Sequence, residues 1–287
     1  MSQVRIVTDS TAHFQDPEFL KKHGVTVVPL TIHFGKEYFR EGVDLDTVTY
    51  FRRVSNGGPL ASAASPTTET FAALYESISQ SGDEILSIHL SSKLSRTWQN
   101  AKAAADALLG RCQVAVIDTL TTSVGLGILV EAAVAAAERG EALDDIVRLV
   151  RGMIPRLYVV FFVESLDYLE HSKRLGKAQS RLGTMLGIKP FLTIEEGDIV
   201  PMEKVRTRQQ AIEKLMEFIG EFAVIERLAI LHGATNHSDE TRQLLERLAL
   251  DFPGRKWDIT TYGPSLATQI GPDSLGVIVF EGLEDDD

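Results

Sequence analysis

The residues most able to do chemistry are hydroxyls gathered at the ends of apolar runs. Ser91, Ser92, Ser95 and Thr97 stand between an apolar run (Ile85, Leu86, Ile88, Leu90) and an Ala/Leu-rich stretch that reads as a helix to Leu109. A strand that ends in hydroxyls and turns into a helix collects side-chain O–H groups and unpaired backbone N–H groups in one place. The helix dipole adds about half a positive charge there. Such a corner binds anions, typically phosphate or carboxylate. Serine is also a favoured helix N-cap, so one corner alone says little. Three further corners share the composition: Asp9-Ser10-Thr11 after Val4 to Val7, Ser62 in the small-residue run before Pro66, and Asp118-Thr119 after Val114 to Ile117.

The elements that would position these corners alternate. Strand, hydroxyl-rich tip and helix recur through the first half, which predicts a parallel sheet with helices on both faces and ligands at the carboxyl ends of its strands. Thr31 to Phe39 reads as a hairpin turning at Gly35-Lys36, and Phe14 to Lys22 as a helix. GLGILVEAAVAAAERG is apolar on most sides and predicts a buried helix. The second half changes character. LYVVFFV (Leu157 to Val163) is followed by a hairpin turning at Glu195-Glu196-Gly197-Asp198, a helix from Arg208 to Phe222, and strands and helices to Phe280. That pattern predicts an α+β domain, with the boundary at Met153: residues 1–153 form an α/β/α domain and residues 154–287 an α+β domain.

Composition narrows the function. The chain has 287 residues and a formal net charge of -11, with no Lys/Arg-rich run, so no nucleic-acid partner is expected. Neither a signal-peptide pattern nor a bilayer-length apolar stretch is present, which predicts a cytoplasmic protein without a membrane span. One cysteine, Cys112, leaves no internal disulfide and no multi-thiolate metal site. His33, His232 and His237 are not joined to carboxylates by ligand-type spacing. No G-x-S-x-G elbow and no glycine-rich P-loop occur, which argues against a serine hydrolase and against direct nucleotide binding. His89 is the histidine nearest Ser91, a poor candidate for a Ser–His pair. An enzyme acting on a small anionic substrate, phosphorylated or acyl, at the same tips stays open.

Taken in order, IVTDST, VVPL, EGVDLD, SPTTETF, LSSKLSRTWQNA, VIDTLTTSVGLG, the long run from FFVESLDYLEHSKRLG to MEKVRTRQQA, and a late Gly-Pro resemble the DegV family along essentially the whole chain. The resemblance implies a bacterial fatty-acid-binding protein of two domains, α/β/α with a parallel sheet and α+β with a mixed, largely antiparallel sheet. A long-chain fatty acid would lie in an apolar tunnel between them, its carboxylate met by hydroxyls and backbone N–H groups. No cofactor is implied, and any phosphorylation would be the work of a separate fatty acid kinase to which this carrier presents the lipid.

Residue by residue, Ser95 matches the serine of the family's LSGT loop and Ser62 that of its TSxPS loop. Asp9-Ser10 match the first-strand tip, with Thr11 beside them, and Asp118-Thr119 match the DT tip. Arg174 matches the arginine of the GGR motif, and Arg206 the one after the hairpin. The chain departs from the pattern at four places. Ala61 stands where a threonine is usual, Arg96 where LSGT has glycine, His171-Ser172-Lys173 where two glycines precede Arg174, and Gln269 where histidine often precedes Gly-Pro. The expected ligand contacts are therefore Ser10, Thr11, Ser62, Ser95, Arg96, Thr119, Arg174, Arg206 and Gln269. Phe161, Phe162, Leu166, Leu169, Met185, Leu186 and Ile188 are apolar residues from which a tunnel, or ordinary core, would be built.

Overall fold

The computed structural model describes residues 3–80, 82–172, 189–233, 239–255 and 257–283. The first half opens with β1 (Val4–Asp9), a short α1 (Phe19–Lys22), β2 (Thr26–Val28), the β3 (Thr31–Phe34) and β4 (Glu37–Arg40) hairpin, and α2 (Thr47–Ser55). It continues through β5 (Ser62–Ala64), α3 (Thr68–Ser79), β6 (Glu84–His89), α4 (Thr97–Ala107), β7 (Val114–Asp118), α5 (Ser123–Glu138) and α6 (Leu143–Met153). The second half runs through β8 (Leu157–Phe162), α7 (Asp167–His171), β9 (Lys189–Glu195), β10 (Asp198–Val205), α8 (Arg208–Ile219), β11 (Ile225–His232), α9 (Asp239–Asp251), β12 (Asp258–Thr261), α10 (Pro264–Ile270) and β13 (Leu275–Glu281).

Three sheets result among the described residues. β2-β1-β6-β7 is parallel throughout, as alternating strands and helices require. β10-β9-β8-β13-β11-β12 is mixed: its pairs are antiparallel except β11 with β12, which are joined by the crossover helix α9. The third, β4-β3-β5, is a small antiparallel sheet. Its strand β5 falls in a run of Ala and Ser that the sequence reads as a loop. Backbone pairing of Ser62 with His33 and Ala64 with Thr31 makes it a strand without help from its side chains. Phe14 to Lys22 is helical only over its last four residues.

The sheets are arranged as layers. α3 and α4 cover one face of the parallel sheet, where Val7, Ile85, Phe71 and Ala101 pack together. α8 and α9 cover one face of the mixed sheet, over Val160, Phe162, Leu215 and Leu244. Between the two sheets one apolar cluster joins both halves, with Leu86, Leu126 and Leu129 meeting Val159, Phe161, Leu231 and Ile278. α5 runs inside it, buried along nearly its whole length, which is why its sequence lacks a polar face. Its Gly127 lets the helix press against the backbone of His13, where a Cβ would lie 1.9 Å from the carbonyl oxygen. Among the described residues no helix is long and apolar enough to cross a membrane.

Candidate functional site

The carboxyl ends of β1, β6 and β7 are strapped to one another by their own side chains. Asp9 is fully buried, and its Oδ1 accepts the Thr11 N–H at 3.1 Å and the Thr11 hydroxyl at 2.6 Å. Its Oδ2 accepts the Leu90 N–H at 2.9 Å and faces His89 Nδ1 at 3.0 Å. His89 Nε2 lies 2.7 Å from Ser87 Oγ, which accepts the Tyr75 hydroxyl at 2.7 Å. This pattern fixes the tautomer: Ser87 donates to Nε2, and the Nδ1 hydrogen points to Asp9. Asp118 Oδ1 takes the N–H groups of Ser92 at 3.0 Å and Leu120 at 3.1 Å, and Thr119 donates its hydroxyl to the His89 carbonyl at 2.8 Å.

Ser87, His89 and Asp9 are the residue types of a hydrolytic triad, but all three are fully buried and Ser87 is already engaged on both sides. No substrate reaches them. They hold strands together.

Beside these straps lies a pocket of about 420 Å³. Its walls come from both halves of the chain: Leu30, β5 and Ser65, Leu90 and Leu94, Ser95 and Arg96 at the start of α4, His171 and Ser172 after α7, and Ser265, Thr268 and Gln269 on α10. Ser65 Oγ and Ser95 Oγ are 2.7 Å apart, and Ser95 Oγ is 2.8 Å from Thr97 Oγ1. Ser65 also accepts the Arg96 N–H at 3.0 Å and Ser95 the Thr97 N–H at 3.3 Å. A connected run of hydroxyls thus sits at the first turn of an eleven-residue helix, next to the exposed Arg96. Leu30, Ala61, Leu90 and Leu94 give the same pocket an apolar wall.

Four of the nine expected contacts meet here: Ser62, Ser95, Arg96 and Gln269. Ser10 sits behind the wall. Its Oγ accepts the Leu30 N–H at 2.9 Å and donates to Glu41 Oε2 at 2.7 Å. Thr11 is bound to Asp9, and Thr119 borders a different cleft, with Leu120 and the β9–β10 turn. Arg206 is exposed at the end of β10, where its N–H meets the Gln210 side chain at 2.9 Å. Arg174 and Lys173 lie outside the described residues, as do Met185, Leu186 and Ile188. Phe161, Phe162 and Leu169 are buried in the apolar clusters and, like Leu166, are not among the described walls of the pocket.

Sequence reasoning missed Ser65, His171, Ser172, Ser265 and Thr268 as pocket walls, and Glu41 behind them. Glu41 accepts the Ser265 N–H at 2.8 Å, the Ser265 hydroxyl at 2.6 Å and the Ser10 hydroxyl, linking the β1 tip to the start of α10. Burial pushes its carboxyl from the ordinary 4.5 up to about 6, against the lowering effect of those donors. In the sequence Glu41 precedes a glycine in an acidic run and looks like part of a surface turn.

A parallel sheet and a mixed sheet packed on a shared core, with a hydroxyl-lined pocket walled by both halves of the chain, define an α/β protein. The family model described as uncharacterised protein, DegV family, matches residues 3–282. The chain belongs to the DegV family. It is 31% identical over 278 residues to Protein DegV of Bacillus subtilis, covering 96% of this chain and 98% of that one. It is 35% identical over 280 residues to a DegV domain-containing protein of Streptomyces coelicolor, covering 96% and 98%. Among solved structures, a DegV family protein from Thermus thermophilus, described as binding fatty acid, superposes with a TM-score of 0.85 at 29% identity over 98% of this chain and 100% of that one. DegV from Bacillus subtilis, described as a fatty acid binding protein, gives 0.86 at 29% identity with the same coverage.

Proposed function

We propose that this chain binds a long-chain fatty acid in the pocket between its two domains, residues 1–153 and 154–287, and carries it in the cytoplasm without catalysing a reaction. Its carboxyl end meets the hydroxyls of Ser95 and Ser65, with Ser62 and Arg96 alongside, and the acyl chain leaves along Leu30, Ala61, Leu90 and Leu94. From there the chain presents the head group to a separate fatty acid kinase. The observation that carries this reading is the linked Ser65, Ser95 and Thr97 hydroxyls at a helix start, facing an apolar wall. The relatives described as fatty-acid-binding support it.

The energetics divide the work. A sixteen-carbon chain buried at ~0.8 kcal/mol per methylene contributes on the order of 10 kcal/mol before association costs, and each charge-assisted hydrogen bond ~1.5–3 kcal/mol. Affinity therefore comes from the apolar wall and orientation from the hydroxyls. Native mass spectrometry of the purified protein is expected to show a retained mass of a long-chain fatty acid. An empty protein that instead turns over a phosphoester or acyl ester would replace this reading with an enzyme at the same tips.

Ser95 is the middle member of the hydroxyl run, so Ser95→Ala breaks both links at once. Its affinity for hexadecanoate is expected to fall about tenfold, the worth of one hydrogen bond, with the thermal midpoint nearly unchanged because the site is half-open to solvent. Fatty-acid affinity equal to wild type would remove Ser95 from the site.

A further inference from the structure

A second cleft, of about 730 Å³, shares none of the pocket's described walls. It lies between the β7 tip, the start of β8 and the β9–β10 hairpin. The Ser91 hydroxyl donates to the Gly197 carbonyl at 2.6 Å and ties that hairpin to the strand tips. The cleft's lining is apolar at Ile154, Leu157, Val200 and Phe218. Three large apolar side chains border it in the open: Leu120 at 36% exposure, Tyr158 at 37% and Met202 at 48%. Glu195, Glu196 and Glu203 stand among the walls, and no lysine, arginine or histidine is described there. Lys214 pairs with Glu203 from outside at 3.1 Å. Apolar surface inside a polar rim marks a place where another molecule docks, and Tyr, Phe and Met are side chains that protein interfaces favour.

Leu120 is held there against its own preference. Its φ is +54°, in the left-handed region that a bulky side chain disfavours and a glycine adopts freely. Asp118 Oδ1 takes its N–H at 3.1 Å, and Gly197 packs so closely that a Cβ on it would lie 3.0 Å from Leu120 Cδ2. A leucine in this conformation costs stability and leaves an apolar side chain at the mouth of the cleft. That trade favours a role in contact over a role in folding.

Charge and strand chemistry decide what fits. Carboxylates around an apolar floor repel a fatty carboxylate and an anionic bilayer, and attract an apolar face edged with cations. β10 is the edge strand of the mixed sheet, but Pro201 has no N–H to give and the register shifts between Pro201 and Glu203. A partner's strand added to that edge would meet a break, so a helix is the better occupant. We infer that this cleft is a docking surface for a basic amphipathic helix of a partner protein. Its apolar residues pack on Leu120, Tyr158 and Met202, and its lysines or arginines meet Glu195, Glu196 and Glu203. The inference stands whether or not the pocket holds a fatty acid.

The probe is a fluorescein-labelled synthetic helix of about fourteen residues, leucine on one face and lysine on the other, titrated with the full chain and followed by anisotropy. A Kd on the order of 10 μM is expected, with the counterpart carrying glutamate for lysine at least about tenfold weaker. Leu120→Gly is expected to weaken the lysine helix about tenfold while the thermal midpoint stays level or rises, because glycine suits the φ. Met202→Ser, on the exposed edge strand, removes a second contact and is expected to weaken it in the same direction. Glu196→Lys is expected to weaken the lysine helix and strengthen the glutamate one. If Leu120→Gly and Met202→Ser both bind within about threefold of wild type, the attraction is to the acidic chain at large and the inference is overturned. Equal affinity for the two helices overturns it as well. So does sedimentation with phosphatidylglycerol vesicles that Leu120→Gly abolishes, which makes a bilayer the occupant. A loss of hexadecanoate affinity in Leu120→Gly would assign the cleft to the lipid and overturn it too.

Discussion

Replacing Asp9 by alanine is expected to lower the stability of the protein by about 3–5 kcal/mol, the cost of removing one member of a buried charged network. Asp9 is fully buried and accepts from two backbone N–H groups, a hydroxyl and an imidazole nitrogen, all within 3.1 Å. Alanine leaves every one of those donors in the core without an acceptor, and opens a cavity beneath the tips of β1 and β6. Asp9→Asn separates the two contributions. An amide keeps the volume but turns one side from acceptor to donor, so either the Thr11 pair or the His89–Leu90 pair is lost, at about half the cost. Urea denaturation should show both midpoints lowered with similar m-values. A loss below about 1 kcal/mol for the alanine variant would mean that the strand tips are held by packing and not by this carboxylate.

The same network shows why the fold was more legible than the site. α5 announced its burial through a sequence apolar on most sides, and the β9–β10 hairpin through Glu195-Glu196-Gly197-Asp198, where Glu196 and Gly197 adopt positive φ. Periodicity and turn chemistry are local, so sequence reports them directly. β5 and α10 were not legible, because a three-residue strand of Ser and Ala is created by its partner β3, and α10 is a seven-residue helix buried on every side, whose polar residues Ser265, Thr268 and Gln269 line the pocket and not the protein surface.

At the tips, residue type did not reveal direction. Ser95, Thr11 and Thr119 are all hydroxyls at strand ends. Only Ser95 borders the pocket, while Thr11 and Thr119 donate to Asp9 and to the His89 carbonyl. Hydroxyls that hold a sheet's tips together and hydroxyls that face a ligand have the same composition. What separates them is which donor meets which acceptor 80 residues away, as with Asp9 and His89. Gln269 was legible as a departure from a family pattern. That its Oε1 has no hydrogen-bond partner among the described residues was not.

Glu41 carries the second large effect, and it is one of pH. Its folded carboxyl holds a proton up to about 6, against an ordinary 4.5, because burial penalises the charged form more than Ser10 and Ser265 reward it. Between those two values the folded state binds more protons than the unfolded one, so this group makes stability fall as pH rises through the window. At 1.36 kcal/mol per unit the change is about 2 kcal/mol, fully expressed by about pH 7. Glu41→Gln cannot titrate. The stability difference between the variant and wild type, measured by urea denaturation, is therefore expected to move in the variant's favour by about 2 kcal/mol between about pH 4.5 and 7. A constant offset is superimposed on that slope. Glutamine has one oxygen where Glu41 uses two to take the Ser265 N–H, the Ser265 hydroxyl and the Ser10 hydroxyl, so at least one of these donors goes unmet at every pH. The offset and the slope are read from the same pair of curves. Parallel curves would show that Glu41 is hydrated in solution and that the joint between the β1 tip and α10 is open to water.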